Sequence, residues 1–169
     1  VSVSWTAPSN QGSAITGYVV ALSPGGQQQT VSSTKATFSG LSNGTAYTAV
    51  VKAVNAKGES QQWSSASLAV SPYGRPGPVS SVQAASANLG SGGSSDTVTV
   101  SWGPVSDTNG RPIEYYTVTS STGTSKTVSG ADSRSTTLEG VSASQSQVTF
   151  TVTATNDSAN ASTHTSPGQ

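Results

Sequence analysis

The sequence predicts an all-β fold made of two tandem antiparallel β-sandwiches. Three observations carry that expectation. Apolar residues alternate with polar ones at a period of two, clusters of Gly, Pro, Asn and Ser interrupt the alternation, and the whole order of segments returns after about 100 residues. No stretch carries a convincing helical period. A strand with one buried and one wet face alternates in this way because successive side chains point to opposite sides of the sheet.

Val1, Val3 and Trp5 share one face of the first predicted strand. Ile15, Tyr18, Val20 and Leu22 form the next apolar set, with Gly17 as the expected bulge. Ala36, Phe38 and Leu41 follow, and the longest predicted strand carries Tyr47, Ala49, Val51 and Ala53 before ending at Asn55. Leu68 and Val70 read as a last strand. The order then repeats. Val98, Val100 and Trp102 stand for Val1, Val3 and Trp5 at an offset of 97, and Ile113, Tyr116 and Val118 for Ile15, Tyr18 and Val20 at 98. Leu138 and Val141 stand for Phe38 and Leu41 at 100, and Phe150, Val152, Ala154 and Asn156 for Ala49, Val51, Ala53 and Asn55 at 101. The offset grows in small steps because loops lengthen and strands do not, which is the mark of a duplication. The two predicted cores are built on Trp5, Tyr18 and Tyr47 and on Trp102, Tyr116 and Phe150.

Between the copies lies SPYGRPGP, residues 71–78, with three prolines and two glycines. Proline lacks a backbone donor and fixes φ, so this stretch cannot be a central strand. The predicted organisation is a first module over residues 1–72, a stiff Pro/Gly linker over 73–78, and a second module over 79–169 that opens with Val79 and Val82. The first module has no strand before Val1, and the last strand of the second is expected to be short or missing. Sandwiches built so have open sheet edges, left by trimming or covered by a neighbouring chain. The chain opens inside an apparent strand, VSVSW, and reads as a fragment whose targeting signals lie elsewhere.

Composition narrows the function. Charged residues make up 8% of the chain, seven basic and seven acidic, with zero net charge. That argues against nucleic acid or an anionic membrane as partner. Cys and Met are absent, which removes disulfides, thiolate catalysis and Cys-based metal sites. No run of about 18 apolar residues exists to insert in a membrane.

Catalytic constellations are not expected, and the chain is read as a non-enzyme without cofactors. His164 is the sole histidine. One formal nucleophile-elbow match, Gly40-Leu41-Ser42-Asn43-Gly44, lacks the strand-then-helix context that motif needs and reads as a turn. Glu59, Asp96, Asp107, Glu114, Asp132, Glu139 and Asp157 are dispersed. Asp107-x-Asn109-Gly110 has too few oxygen ligands for an EF-hand calcium loop and reads as a turn. Gly90-x-Gly92-Gly93 has no following helix to make a phosphate cradle.

Trp5, ITGYVV over residues 15–20 and LSNGTAYTAVVKAVNAKGES over residues 41–60 together resemble fibronectin type III modules, a family of immunoglobulin-like sandwiches. The resemblance implies that Tyr47 buries its ring at the corner before its strand and bonds its hydroxyl to upstream backbone. The second copy keeps Trp102, Ile113, Tyr116 and the Val152-x-Ala154-x-Asn156 run, but Val148 stands in place of the tyrosine. The lost bond implies a weaker second module by about 1 kcal/mol. The Ser/Thr-rich, Cys-free style also resembles repeat regions of large actinobacterial surface proteins.

The resemblance further implies a secreted or cell-surface protein-binding or adhesion module, with a protein ligand such as a host receptor or cytokine. Passive spacing within a surface protein, and an accessory pair on a secreted polysaccharide-degrading enzyme, are the alternatives. The Arg-Gly-Asp motif of some family members is absent from NAKGE, residues 55–59. Asn109-Gly110-Arg111 reads first as a tight turn and second as an adhesive motif. Trp63-Ser64-Ser65-Ala66-Ser67 resembles half of the Trp-Ser-x-Trp-Ser motif of cytokine receptors, with Lys52 as the facing cation on the long strand. Trp63 is expected either to cover a sheet edge or, with Tyr73 and Arg75, to anchor a partner. Sequons occur at Asn43, Asn156 and Asn160.

Overall fold

The computed structural model describes residues 1–86, 95–142, 147–161 and 165–168. The chain divides into two compact units, Val1–Pro72 and Tyr73–Gln169.

In the first unit β1 (Ser2–Ser4) pairs with β4 (Lys35–Thr37), forming a two-stranded sheet. Facing it is a four-stranded antiparallel sheet in the order β3 (Gln28–Val31), β2 (Ile15–Ser23), β5 (Thr48–Asn55), β6 (Gly58–Glu59). Alternation does the sorting: Tyr18, Val20 and Leu22 lie on one face of β2 and are buried, and Ala49 is buried on β5. Phe38 and Ala36 close the core from the other sheet. The Trp5 ring meets Tyr18 edge-on, with centroids 5.2 Å apart. The predicted bulge is present, since the β2–β5 register shifts between Ile15 and Gly17.

The expected last strand through Leu68 and Val70 does not form as a regular strand. Instead the chain touches β5 at every third residue. Ser64 and Ser67 donate their backbone N–H to the carbonyls of Val51 and Ala49, both at 2.9 Å, and Val70 bridges Tyr47. Their hydroxyls accept the N–H groups of the same two residues, both at 3.0 Å. A pleated strand would advance two residues per pair. Here, at Ser64 and Ser67, the hydroxyl takes one of the two hydrogen bonds, the chain advances three, and Leu68 is left 93% exposed.

The second unit repeats the plan. One sheet runs β11 (Ser135–Ser142), β8 (Ser95–Ser101), β7 (Gln83–Ser86), and the other β10 (Ser125–Ser129), β9 (Tyr115–Ser120), β12 (Phe150–Thr155). Val98, Val100, Trp102, Ile113, Tyr116, Val118, Leu138 and Val152 fill the core. Trp102 and Tyr116 rings lie 5.3 Å apart. After β12 the chain repeats one step of the serine pattern: Ser166 donates its N–H to the Ala154 carbonyl, and its hydroxyl accepts the Ala154 N–H.

Two expected core residues sit at rims. Phe150 packs against its cluster but is partly exposed, because it is the first residue of β12. Trp5 is likewise partly exposed, because among the described residues no strand pairs with the far side of β1.

Candidate functional site

The residues singled out from the sequence fall in two places. Trp63 belongs to the first unit, and Tyr73, Arg75, Asn109, Gly110 and Arg111 to the second.

Trp63 precedes the serine ladder and is 38% exposed. Lys52, on β5, holds its ammonium 4.9 Å from the indole centroid and 3.7 Å from a Glu59 carboxylate oxygen. The ladder presents Trp63 beside this lysine, and the ammonium lies over the indole as a cation–π pair.

In the second unit the stretch expected as a stiff linker is hydrogen-bonded to the unit's own loops. Tyr73 donates its hydroxyl to Asp157 Oδ2 at 2.6 Å. Gly74 N–H bonds the Asn109 carbonyl at 3.0 Å, Gly77 N–H the Asp107 carbonyl at 2.7 Å, and Pro76 is fully buried. Asn109 Nδ2 donates to the Arg75 carbonyl at 2.8 Å, and Arg75 itself is exposed. Asn156, fully buried, donates through Nδ2 to the carbonyls of Gly74 and Thr108, both at 2.9 Å. Prolines and glycines forbid a central strand, yet they leave carbonyls for asparagine side chains to capture. That is why composition read as a linker and the structure shows a strap.

Arg111 joins this strap to the last loop. Its guanidinium lies 2.9 Å from Glu114 Oε1, 3.1 Å from Asp157 Oδ2 and 4.9 Å from the Tyr73 ring centroid. Asp157 caps the short 3₁₀ turn Ser158–Asn160, accepting from Ala159 N–H at 3.2 Å and from Asn160 Nδ2 at 2.8 Å. The hydrogen bonds from Tyr73 and Asn160, with Arg111 beside them, hold the Asp157 carboxyl at about 2, well below the ordinary carboxylate range. Hydrogen bonds from Ser158 lower Glu114 as well. The Tyr73 hydroxyl is pushed up from 10.0, chiefly by its bond to Asp157.

Both carboxyl groups are therefore ionised at neutral pH, the opposite of what a general acid in glycoside chemistry requires. Among the described residues no group of three or more His, Cys, Asp or Glu side chains gathers to hold a metal. Ser42, the middle of the elbow-like motif, gives its N–H to the Tyr47 hydroxyl at 3.1 Å, which is the bond the tyrosine corner calls for. His164 and Gly90, Gly92 and Gly93 lie outside the described residues.

Asn109 and Gly110 carry φ of 54° and 90°, the pair of positive values a tight primed turn demands. Asp107 Oδ1 accepts the Asn109 N–H at 2.7 Å, so the calcium-like triplet is an Asx-turn. Arg111 of the Asn-Gly-Arg stretch is engaged by Glu114 and Asp157. The buried, doubly bonded Asn156 sequon offers no free amide for glycosylation. Sequence reading missed Asp157, Asn156, Glu114 and Asn160 as partners in this cluster. An Asn-Asp pair ending a strand, followed by a short turn, was the available signal for Asp157 as a cap.

Three comparisons bear on the chain. A family model described as Fibronectin type III domain matches residues 1–70. Chitinase A1 of Niallia circulans is 34% identical over 163 residues, covering 96% of this chain and 22% of that protein. A crystal structure of chicken CNTN1 FN1-FN3 domains is 22% identical, with a TM-score of 0.47, covering 90% of this chain and 52% of that one.

Proposed function

Because residues 1–70 are a fibronectin type III domain and the second unit repeats its strand arrangement, we propose that the chain is a pair of non-catalytic spacer modules within an extracellular polysaccharide-degrading protein. The observation that carries this reading is the reach of the chitinase likeness, which runs over 163 residues and so spans both units. The surface supports spacing over sugar binding. Trp63 and Tyr73, the exposed aromatic residues among the described ones, belong to different units, and each has a cation over one ring face. A sugar-stacking platform needs open, coplanar aromatic faces.

The test is co-sedimentation of the 169-residue chain with insoluble chitin and cellulose. The expected result is that the chain stays in the supernatant at every loading. Saturable retention that Trp63→Ala or Tyr73→Ala removes would overturn the spacer reading.

A second reading, a protein-binding or adhesion module, draws on exposed Leu68 and Val70 in the first unit. Its narrower form, a host receptor or cytokine as ligand, draws on the Trp63–Lys52 pair. Saturable binding to an extracellular protein, lost on Trp63→Ala, would be its signature.

A further inference from the structure

Two Asn-Gly pairs occur in the chain, Asn43-Gly44 and Asn109-Gly110. Asparagine is thermolabile, and most so before glycine, whose bare Cα leaves its backbone nitrogen unhindered as a nucleophile toward the side-chain amide. Position 110 needs glycine. Its φ is 90°, in the left-handed region, and Asn109 before it carries 54°. The turn that requires Asn109-Gly110 therefore builds in a reactive pair.

The strap holds both reacting groups. Gly74 N–H bonds the Asn109 carbonyl at 3.0 Å, so it clamps the peptide plane that contains the Gly110 nitrogen. One residue on, the Arg75 carbonyl accepts from Asn109 Nδ2 at 2.8 Å and holds the amide that this nitrogen attacks. Asp107 Oδ1 takes the Asn109 N–H at 2.7 Å. The buried Asn156 grips Gly74 in turn by its carbonyl, at 2.9 Å. Ring closure needs the side chain and the following peptide plane to rotate toward each other, and neither turns while residues 74 and 75 stay in place. At Asn43 the arrangement differs. There Gly44 N–H itself donates to the Pro72 carbonyl at 2.8 Å, within the first unit, and no residue of 73–78 takes part.

We propose that Asn109 is a latent deamidation site, kept inert by residues 74 and 75 and reacting when the strap opens, and that its conversion then holds the strap open. The Gly110 nitrogen gives its proton to solvent base and bonds Asn109 Cγ. The Cγ–Nδ2 bond breaks, and ammonia leaves with a proton from water. The cyclic imide takes up one water. Opening at Cγ yields aspartate, and opening at the main-chain carbonyl yields isoaspartate. Nothing is oxidised or reduced, and water is the only co-reactant.

Either product unmakes the lock. A carboxylate at position 109 has no N–H to give the Arg75 carbonyl, and it adds a negative charge two residues from Asp107. Isoaspartate also routes the main chain through the side-chain carbon. That inserts a methylene between the N–H that Asp107 holds and the carbonyl that Gly74 holds. Refolding restores neither bond, so the strap is a one-way latch.

The experiment incubates the 169-residue chain in warm, mildly alkaline buffer and follows both Asn-Gly pairs by peptide mapping, with isoaspartate counted by enzymatic methylation. A synthetic peptide of residues 105–113 gives the unprotected rate. Asn109 in the chain is expected to react on the order of tenfold slower than in the peptide. Gly74→Pro removes the donor to the Asn109 carbonyl and should speed Asn109 roughly fivefold, the weight of one ordinary hydrogen bond, with Asn43 unchanged. Asn109→Asp, the product itself, should lose amide-exchange protection at Gly74. If Gly74→Pro fails to fold, urea below the unfolding transition of the native chain takes its place, and the Asn109 rate should rise in step with exchange at Gly74. Asn109 reacting as fast as the peptide, equal acceleration at Asn43, or Gly74 protection kept in Asn109→Asp would each overturn the proposal. So would an Asn109 rate that stays level in urea while Gly74 exchange rises.

Discussion

Asp157 carries more of the second unit's architecture than its place in a loop suggests. Its Oδ2 accepts from Tyr73 and Asn160 and faces Arg111, and its Oδ1 accepts from Ala159. These interactions favour the ionised carboxylate, which is why its folded pKa lies near 2 against an ordinary 3.8. A lowered folded pKa contributes stability that is complete above the ordinary value and is lost as pH falls from about 3.8 through about 2. Glu114 shifts in the same direction and adds to the acid limb. Tyr73 works at the other end: its raised pKa contributes stability below 10.0 that disappears as pH rises through the folded value. Replacing Asp157→Asn should therefore flatten the fall in second-unit stability between pH 4 and pH 2. Urea titrations following Trp102, with Trp5 and Trp63 replaced by Phe, would measure it, and an unchanged acid slope would remove Asp157 from the explanation.

Among the elements, β2 and the serine ladder show how local chemistry sets backbone path. Gly17 lies where the β2–β5 register shifts, and a Cβ built on it would sit 3.1 Å from the Val31 carbonyl oxygen of β3. Glycine is needed there for space, with backbone and not a flexible side chain as the obstacle. Gly17→Ala is expected to cost about 1–3 kcal/mol, the range for overpacking; equilibrium denaturation of the first unit tests it, and a loss under 0.5 kcal/mol would mean that β3 yields freely. The ladder makes the complementary point. Its pattern of small polar residues was visible in Trp63-Ser64-Ser65-Ala66-Ser67, but alternation rules assume backbone-to-backbone pairing. Ser64 and Ser67 instead offer a hydroxyl as well as an N–H to each β5 residue they meet, and the period changes from two to three.

For the whole molecule, two opposed differences decide which unit opens first. The first has the tyrosine corner, with the Ser42–Tyr47 bond, and the second has Val148 there. That bond is worth about 1 kcal/mol and favours the first unit. Against it stands the uncovered β1, where Val1, Val3 and Trp5 keep part of their apolar surface in water. Complete burial of one such side chain contributes about 1.5–3 kcal/mol, so partial exposure of three outweighs one hydrogen bond. In the 169-residue chain the first unit should unfold before the second, contrary to what the loss of the corner tyrosine implies by itself. Amide exchange at Val20 compared with Val118 measures the order. Slower exchange at Val20 would show that the corner dominates.

The sequence by itself determined the all-β class, the duplication, the inward faces of the strands and the corner bond of Tyr47. Each follows from local periodicity or from a motif whose parts lie within a few residues. Tertiary structure decided how each core is closed, and it tied residues 73–78, expected as a stiff linker, onto the second unit. Those outcomes depend on partners far apart in the chain, such as Tyr73 with Asp157 or β7 with β8, and no local pattern encodes which distant group will fill an open edge or take up a free carbonyl.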